Sequence, residues 1–295
     1  MELRHLRYFV AVAEELHFTR AASRLNLAQP ALSQQIKQLE KELGVVLLAR
    51  TRRSVALTEP GRAFLAEARR TLGAAEQAIR TARRAAQGEV GSLRLGYVDF
   101  ATWLDFPGLL RKFRQQFPSV DVTLVELHRE PLREALVRGD LDLGFFTLSE
   151  RDRGLRGLKI GVDPLIIALP ADHPRAAESS LALATLAEES WVLFPRELRT
   201  VYGELILESC RRAGFVPRIG QEASQLHALA GLVSAGVGVA MLPRAMTAAP
   251  RRGVVYRPVR GRPPSLPLHL VWREGDLSPT ATRFVEVARK AASSG

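Results

Sequence analysis

Gln29, Ser33, Gln34 and Lys37 are the residues whose types and spacing first suggest chemistry. On a helix they share one side, and they offer amide, hydroxyl and ammonium groups with no acidic residue among them. A face of that kind can lie in the major groove of a duplex, where side-chain donors and acceptors meet base edges. The opposite side carries Leu32, Ile36, Leu39 and Leu43, at spacings of four, three and four, which is the apolar stripe of an amphipathic helix. Ahead of it, Ala21, Ala22 and Leu25 form the apolar face of a shorter helix, so both faces can share one small core. Asn26 between them tolerates the left-handed backbone of a sharp turn, and Pro30 fits a first helical turn, where no amide donor is missed. An ordinary helical hairpin with its polar face in water satisfies residues 19–43 equally well.

The flanks argue for the groove-reading alternative. Upstream, Leu3, Leu6, Phe9, Val10 and Ala13 make one apolar stripe on a helix that can close the core as a third member. Downstream, Gly44 ends the second helix, and Arg50, Arg52 and Arg53 stand at the tip of a two-stranded wing, where guanidiniums suit phosphates. Thr19, Arg20 and Pro30 complete the candidate DNA-binding set.

The 295 residues carry a formal charge of +11, and their 46% hydrophobic content is ample for packed cores. Residues 1–88 hold 15 basic against 8 acidic side chains, so positive charge is concentrated in the smaller, N-terminal part, as polyanion binding favours. Cys210 is the sole cysteine, which excludes an intrachain disulfide or a thiolate zinc site and fits a reducing cytoplasm; its simplest role is to fill a helix face. The opening MELRHLRYF lacks the continuous apolar run of a signal peptide, and no stretch approaches the ~20 apolar residues of a membrane span.

No enzyme motif emerges. GVGVAM at 236–241 lacks the third glycine of a dinucleotide fingerprint and leads into a strand, so it reads as a close-packed turn. His5, His17, His128, His173, His227 and His269 are dispersed, without metal-ligand spacing, and Asp140 and Asp142 read as turn and solvent-face groups rather than a catalytic pair. The expectations are no catalysis, no metal and no cofactor.

From Thr58, a helix start with Glu59 and Pro60, one long helix runs to about Gln87. Leu65, Ala68, Leu72, Ala75, Ile79, Ala82 and Ala86 alternate at threes and fours, a heptad seam rich in alanine that calls for a partner helix. After a flexible break at 88–92 the pattern changes. β-type runs at 92–98, 120–127 and 141–148 alternate with helices near 106–117 and 131–138, as parallel strands with crossover helices do. Further strands are expected at 157–162, 165–169, 191–194, 237–242 and 268–272, with helices near 201–213, 224–235 and 279–292.

Residues 6–51 and 56–65, LRYFVAVAEELHFTRAASRLNLAQPALSQQIKQLEKELGVVLLART and ALTEPGRAFL, closely resemble the winged helix-turn-helix of the LysR-type transcriptional regulators. The resemblance extends more loosely to LVRGDLDLGF and GLVSAGVGVAMLP, and so to essentially the whole chain. Two departures stand out: Ala28 replaces a usual Ser or Thr ahead of the recognition helix, and Gln34 replaces a frequent Arg. The family implies a winged helix-turn-helix at 1–58, a linker and dimerisation helix with hinge at 59–88, and an effector domain at 89–295 resembling periplasmic solute-binding proteins. Its α/β lobes would comprise 89–163 with 267–295, and 164–266, with crossovers near 161–164 and 264–268. The implied protein is a cytoplasmic, effector-responsive regulator that binds double-stranded DNA as a homodimer or homotetramer, with RNA polymerase a further candidate partner and no membrane. The family pattern, with the rule that ligands sit beyond strand carboxyl ends, picks out Asp99, Phe100, Ala101, Thr102, Arg129, Thr147, Phe194, Pro195, Arg196, Tyr202, Ser224, Gln225 and His227 as the effector site. Guanidiniums, helix ends and aromatic walls there favour a small organic anion, while Asp99 and the missing hydroxyl at Phe100 leave a neutral or cationic effector as the alternative.

Overall fold

The structure, a computed structural model, describes residues 1–51, 54–195, 200–275 and 277–293. It divides into two compact units, residues 1–84 and 85–295.

The first unit is built on three short helices, α1 (Leu3–Glu15), α2 (Phe18–Arg24) and α3 (Gln29–Leu43), followed by strands β1 (Leu48–Arg50) and β2 (Val55–Leu57) and helix α4 (Glu59–Ala86). The turn after α2 places Asn26 at φ 54°, and Gly44 closes α3 at φ 69°, both in the left-handed region that these residue types tolerate. Phe9, Val12, Ala21, Leu32, Ile36 and Leu39 are fully buried in one core. Leu3, expected in the α1 stripe, is 42% exposed; the inward face runs through positions 5, 6, 9, 12 and 13, following the helical period.

Glu40, on the last turns of α3, ties the wing to this core. Its Oε1 accepts from Leu47 N at 3.0 Å and Leu48 N at 3.1 Å, and its Oε2 pairs with the Arg50 guanidinium at 2.6 Å. Arg50 also lies 4.9 Å from the Phe18 ring centre, in a cation–π contact. Thr58 caps α4 by accepting from Gly61 N at 3.0 Å while donating to the Val46 carbonyl at 2.7 Å.

The second unit is α/β. Parallel strands β3 (Gly91–Tyr97), β4 (Val120–Glu126) and β5 (Leu143–Phe146) are linked by α5 (Phe106–Gln116) and α6 (Arg129–Arg138). Then β6 (Leu155–Pro170) runs out of this lobe and into a second one. The second lobe holds β7 (Ser190–Leu193), α7 (Val201–Arg212), β8 (Arg218–Glu222), α8 (Leu226–Ser234), β9 (Ala240–Pro243) and β10 (Val254–Pro258). Strand β11 (Ser265–Arg273) returns antiparallel to β6, and α9 (Pro279–Ala292) closes the first lobe.

Around the crossover the strand order is β10-β6-β11-β5-β3-β4, with β9 also paired to β6. Residues 155–164 of β6 pair with β11, whereas 165–170 pair with β9 and β10, so the lobes meet at Pro164 and Leu165. Two strands expected at 157–162 and 165–169 are thus one. Strands β8 and β10 lie outside the expected set. The first, RIGQE, has a single large apolar residue, and Gly220 within it lets the chain approach Ser190 of β7, whose Oγ would lie 2.0 Å from an added Cβ.

Each lobe has its own core: Leu95, Phe113, Phe145 and Phe284 in the first, Trp191, Ile206, Val233 and Met241 in the second. Gly88, at φ +73°, seats the hinge against α9, since an added Cβ would stand 2.3 Å from the Pro279 carbonyl oxygen.

The Glu40 contacts predict that Glu40→Ala, which strands two amides and a guanidinium, lowers the stability of the head by ~2–3 kcal/mol in thermal unfolding followed by circular dichroism. Glu40→Gln, which keeps an acceptor, should cost less. Equal melting of the alanine variant and wild type would contradict the tie.

Candidate nucleic-acid interface and effector cavity

Because α3 buries Leu32, Ile36 and Leu39, its other side must face out, and Gln29, Pro30, Gln34 and Lys37 are exposed with Ser33 half-buried between them. No side chain caps the start of this helix, where Ala28 stands as N-cap. Thr19 and Arg20 are exposed on α2, although Arg20 already donates to the Glu15 carbonyl at 2.6 Å and so also fixes the corner between α1 and α2. Arg50 is a correction. It lies on β1 rather than at a wing tip, and Glu40 compensates its charge inside the head, so its role is to join strand to helix. Arg52 and Arg53 lie outside the described residues.

The expected seam on α4 divides into two halves. Leu65 and Leu72 are half-buried against the head core and Ala68 is 1% exposed, while Phe64 meets Phe9 edge-on at 5.1 Å. These positions are correctly apolar, but their partner is the head of the same chain. Farther along, Ala75 is half-buried, Ala82 is exposed and Ile79 is 49% exposed. Only this half of the stripe keeps an apolar face uncovered.

In the second unit a cavity of about 460 Å³ lies beyond the carboxyl ends of β3, β4 and β5 and is closed on its far side by the second lobe. Asp99, Phe100, Arg129, Thr147, Phe194, Tyr202, Ser224 and Gln225 line it, as the sequence suggested. Four of the expected residues do not. Ala101 is fully buried in the first lobe's core, and Thr102 is exposed and donates to the Asp99 carbonyl at 2.7 Å. Pro195 borders a neighbouring hollow with Leu207 and Val216, and His227 is exposed on α8 away from the lining. Arg196 lies outside the described residues. Leu226, within the expected run from Ser224 to His227, also lines it, and Val98, Glu126, Leu127, His128, Pro131, Phe146, Thr200 and Val201 complete the wall unforeseen. A signal for several of them was the rule already used, since Glu126 ends β4, Leu127 and His128 directly follow it, and Phe146 ends β5.

The polar groups of the wall are largely engaged. Arg129 was expected to offer a free guanidinium; instead its side chain is 11% exposed and bonded to Asp152 at 2.7 and 2.8 Å, to Ser149 Oγ at 3.0 Å and to Glu130. Asp152 is 1% exposed, and a buried carboxylate of that kind requires a cation beside it, which is the physical reason for the pairing. Thr147 donates to the Pro267 carbonyl at 2.6 Å, and the neighbouring Leu148 amide donates to His269 Nδ1 at 3.2 Å. Burial first, and the charge of Lys159 second, hold the His269 pKa below the usual range, which favours the neutral, accepting ring. Tyr202 donates to the Met241 carbonyl, and burial raises its pKa. Asp99 Oδ2 accepts from Leu226 N, the first amide of α8, at 2.8 Å. Cys210 is buried on α7 and its pKa is pushed up to about 12 by desolvation, so it remains a thiol with a packing role.

A winged helix-turn-helix head whose outer helix is uncapped and shows a polar and basic face, joined to a two-lobed α/β domain around a cavity, defines an effector-linked DNA-binding regulator. Residues 3–62 match the family described as "Bacterial regulatory helix-turn-helix protein, lysR family", and residues 86–293 match "LysR substrate binding domain". The chain is 39% identical over 289 residues to the HTH-type transcriptional regulator AlsR of Bacillus subtilis, covering 98% of this chain and 95% of that protein. Crystal structures of the LysR family regulator CbnR alone and of full-length CbnR with its target DNA superpose with TM-scores of 0.87 and 0.85, at 32% and 31% identity. Coverage is 98% and 99% of this chain and 100% of each CbnR chain. The chain belongs to the LysR family of DNA-binding transcriptional regulators, and it is not an enzyme.

The divided stripe on α4 predicts that Leu72→Asp lowers head stability by ~2–4 kcal/mol, whereas Ile79→Asp changes it by at most about 0.5 kcal/mol. Calorimetric unfolding of both variants checks this. Equal stability of the two would mean that Leu72 is not packed on the head.

Proposed function

We propose that this regulator works in the cytoplasm as a homodimer whose heads read two half-sites of an operator. In this reading a small organic molecule in the 460 Å³ cavity changes the relation of one head to the other. The reading rests on the outer face of α3, where Gln29, Gln34 and Lys37 are exposed while the opposite face is locked in the core. The exposed Ile79 half of α4 supplies the apolar stripe for self-association, and pairing of dimers into tetramers and contact with RNA polymerase extend the same reading.

The effector has an apolar body, because Val98, Phe100, Leu127, Phe146, Phe194 and Leu226 dominate the wall. Its polar end is a carboxylate, since α6, α7 and α8 all present their N-terminal ends at the cavity and such ends favour negative charge. The charge of Arg129 is already compensated, so it contributes less than a free guanidinium would. A neutral or cationic effector is the second reading, favoured by Asp99 and Glu126 in the same wall.

The test of the head uses an operator selected from random duplexes by the full chain. Gln29→Ala or Gln34→Ala should each cost ~1–3 kcal/mol on that operator and relax base preference at one position per half-site. Unchanged affinity and preference in both variants would remove base reading from this face.

A further inference from the structure

We propose that Asp99 is the resident ligand of the cavity: without effector, its carboxylate holds the backbone donor that a carboxylate effector would take, and thereby ties the two lobes together. Asp99 belongs to the turn after β3 in the first lobe, and Leu226 is the first residue of α8 in the second. Both line the cavity, and the 2.8 Å bond between them crosses from one lobe to the other. Gln225, the N-cap residue of α8, makes no side-chain cap, and one of the orphan amides of this helix start finds its acceptor in the opposite lobe.

The turn that carries Asp99 is held in place from both sides. Thr102 Oγ1 bonds the Asp99 carbonyl at 2.7 Å, and Phe100 packs against the cores of both lobes. A second contact between lobes, Arg151 to Glu204 at 3.2 Å, has side chains 75% and 51% exposed and is therefore screened by solvent and salt. The Asp99 bond is set in the cavity wall itself. One N–H cannot serve two carboxylates at full strength, and two like charges at one helix end repel. An anionic effector must therefore displace Asp99, and its binding loosens the tie as it fills the space. An uncharged isostere meets no such repulsion.

This inference rests on the carboxylate reading of the effector, and the experiment separates the two. The full-length chain and its Asp99→Asn variant are titrated calorimetrically with benzoate, benzamide and benzylamine, and amide hydrogen exchange over the first turn of α8 is compared for ligand-free wild type and Asp99→Ala. Asparagine keeps an oxygen for Leu226 but removes the charge. Benzoate should bind the asparagine variant about tenfold tighter, benzamide should change by no more than about twofold, and exchange at the start of α8 should quicken about tenfold in the alanine variant. Benzoate affinity that is unchanged or weaker in Asp99→Asn, or benzylamine that binds wild type and is lost in the variant, would overturn the competition. Unchanged exchange would overturn the tie. If benzoate binds neither protein, the competition and the carboxylate reading fall together, and the exchange result alone decides whether Asp99 joins the lobes.

Discussion

The head depends on one helix meeting two opposed demands. Leu32, Ile36 and Leu39 of α3 are wholly removed from water, and that burial leaves Gln29, Gln34 and Lys37 no position except the outside. Each buried leucine or isoleucine contributes about 1.5–3 kcal/mol, enough together to hold the helix rigidly against α1 and α2. Glu40 extends this rigidity to the wing by gathering two amides and the Arg50 guanidinium at the far end of the same helix. A polar face that reads base edges, as proposed for this one, gains from such a support, because a misplaced donor loses a directional hydrogen bond.

In the second unit the comparable constraint is the ladder of β6 and β11. Each strand passes from one lobe to the other, so the two cores are built on shared backbone and yet remain separate clusters. The cavity lies where the strands of the first lobe end and the helices of the second begin. Only two strands and a few side-chain contacts join the lobes across the described residues, which makes a change in their separation the least costly deformation of the domain.

Much of this was legible from residue order, because the signals were local. Asn26, Gly44 and Thr58 mark their turns and caps by chemistry within a few residues, and α9 begins and ends where its apolar spacing does, at 279 and 292. What escaped was determined at a distance. Arg129 is neutralised by Asp152, and Arg50 by Glu40, and nothing in either arginine's surroundings along the chain announces the partner. The stripe on α4 has one period throughout, yet Leu65, Ala68 and Leu72 find the head core before any second chain is needed, since periodicity identifies a buried face without naming what buries it. β8 stayed hidden because a short edge strand with a glycine at its centre alternates too weakly to be seen.

The uncapped helix and basic head are proposed to hold duplex DNA through phosphates as well as bases. The most direct measurement is the affinity of the full chain for duplex DNA by fluorescence anisotropy across a range of salt concentrations. Each phosphate neutralised contributes about −0.9 to the slope of log affinity against log salt, so the proposed dimer, with several contacts per head, should give a slope of about −4 or steeper. A slope near zero, or binding that does not distinguish duplex DNA from a neutral polymer, would contradict the account.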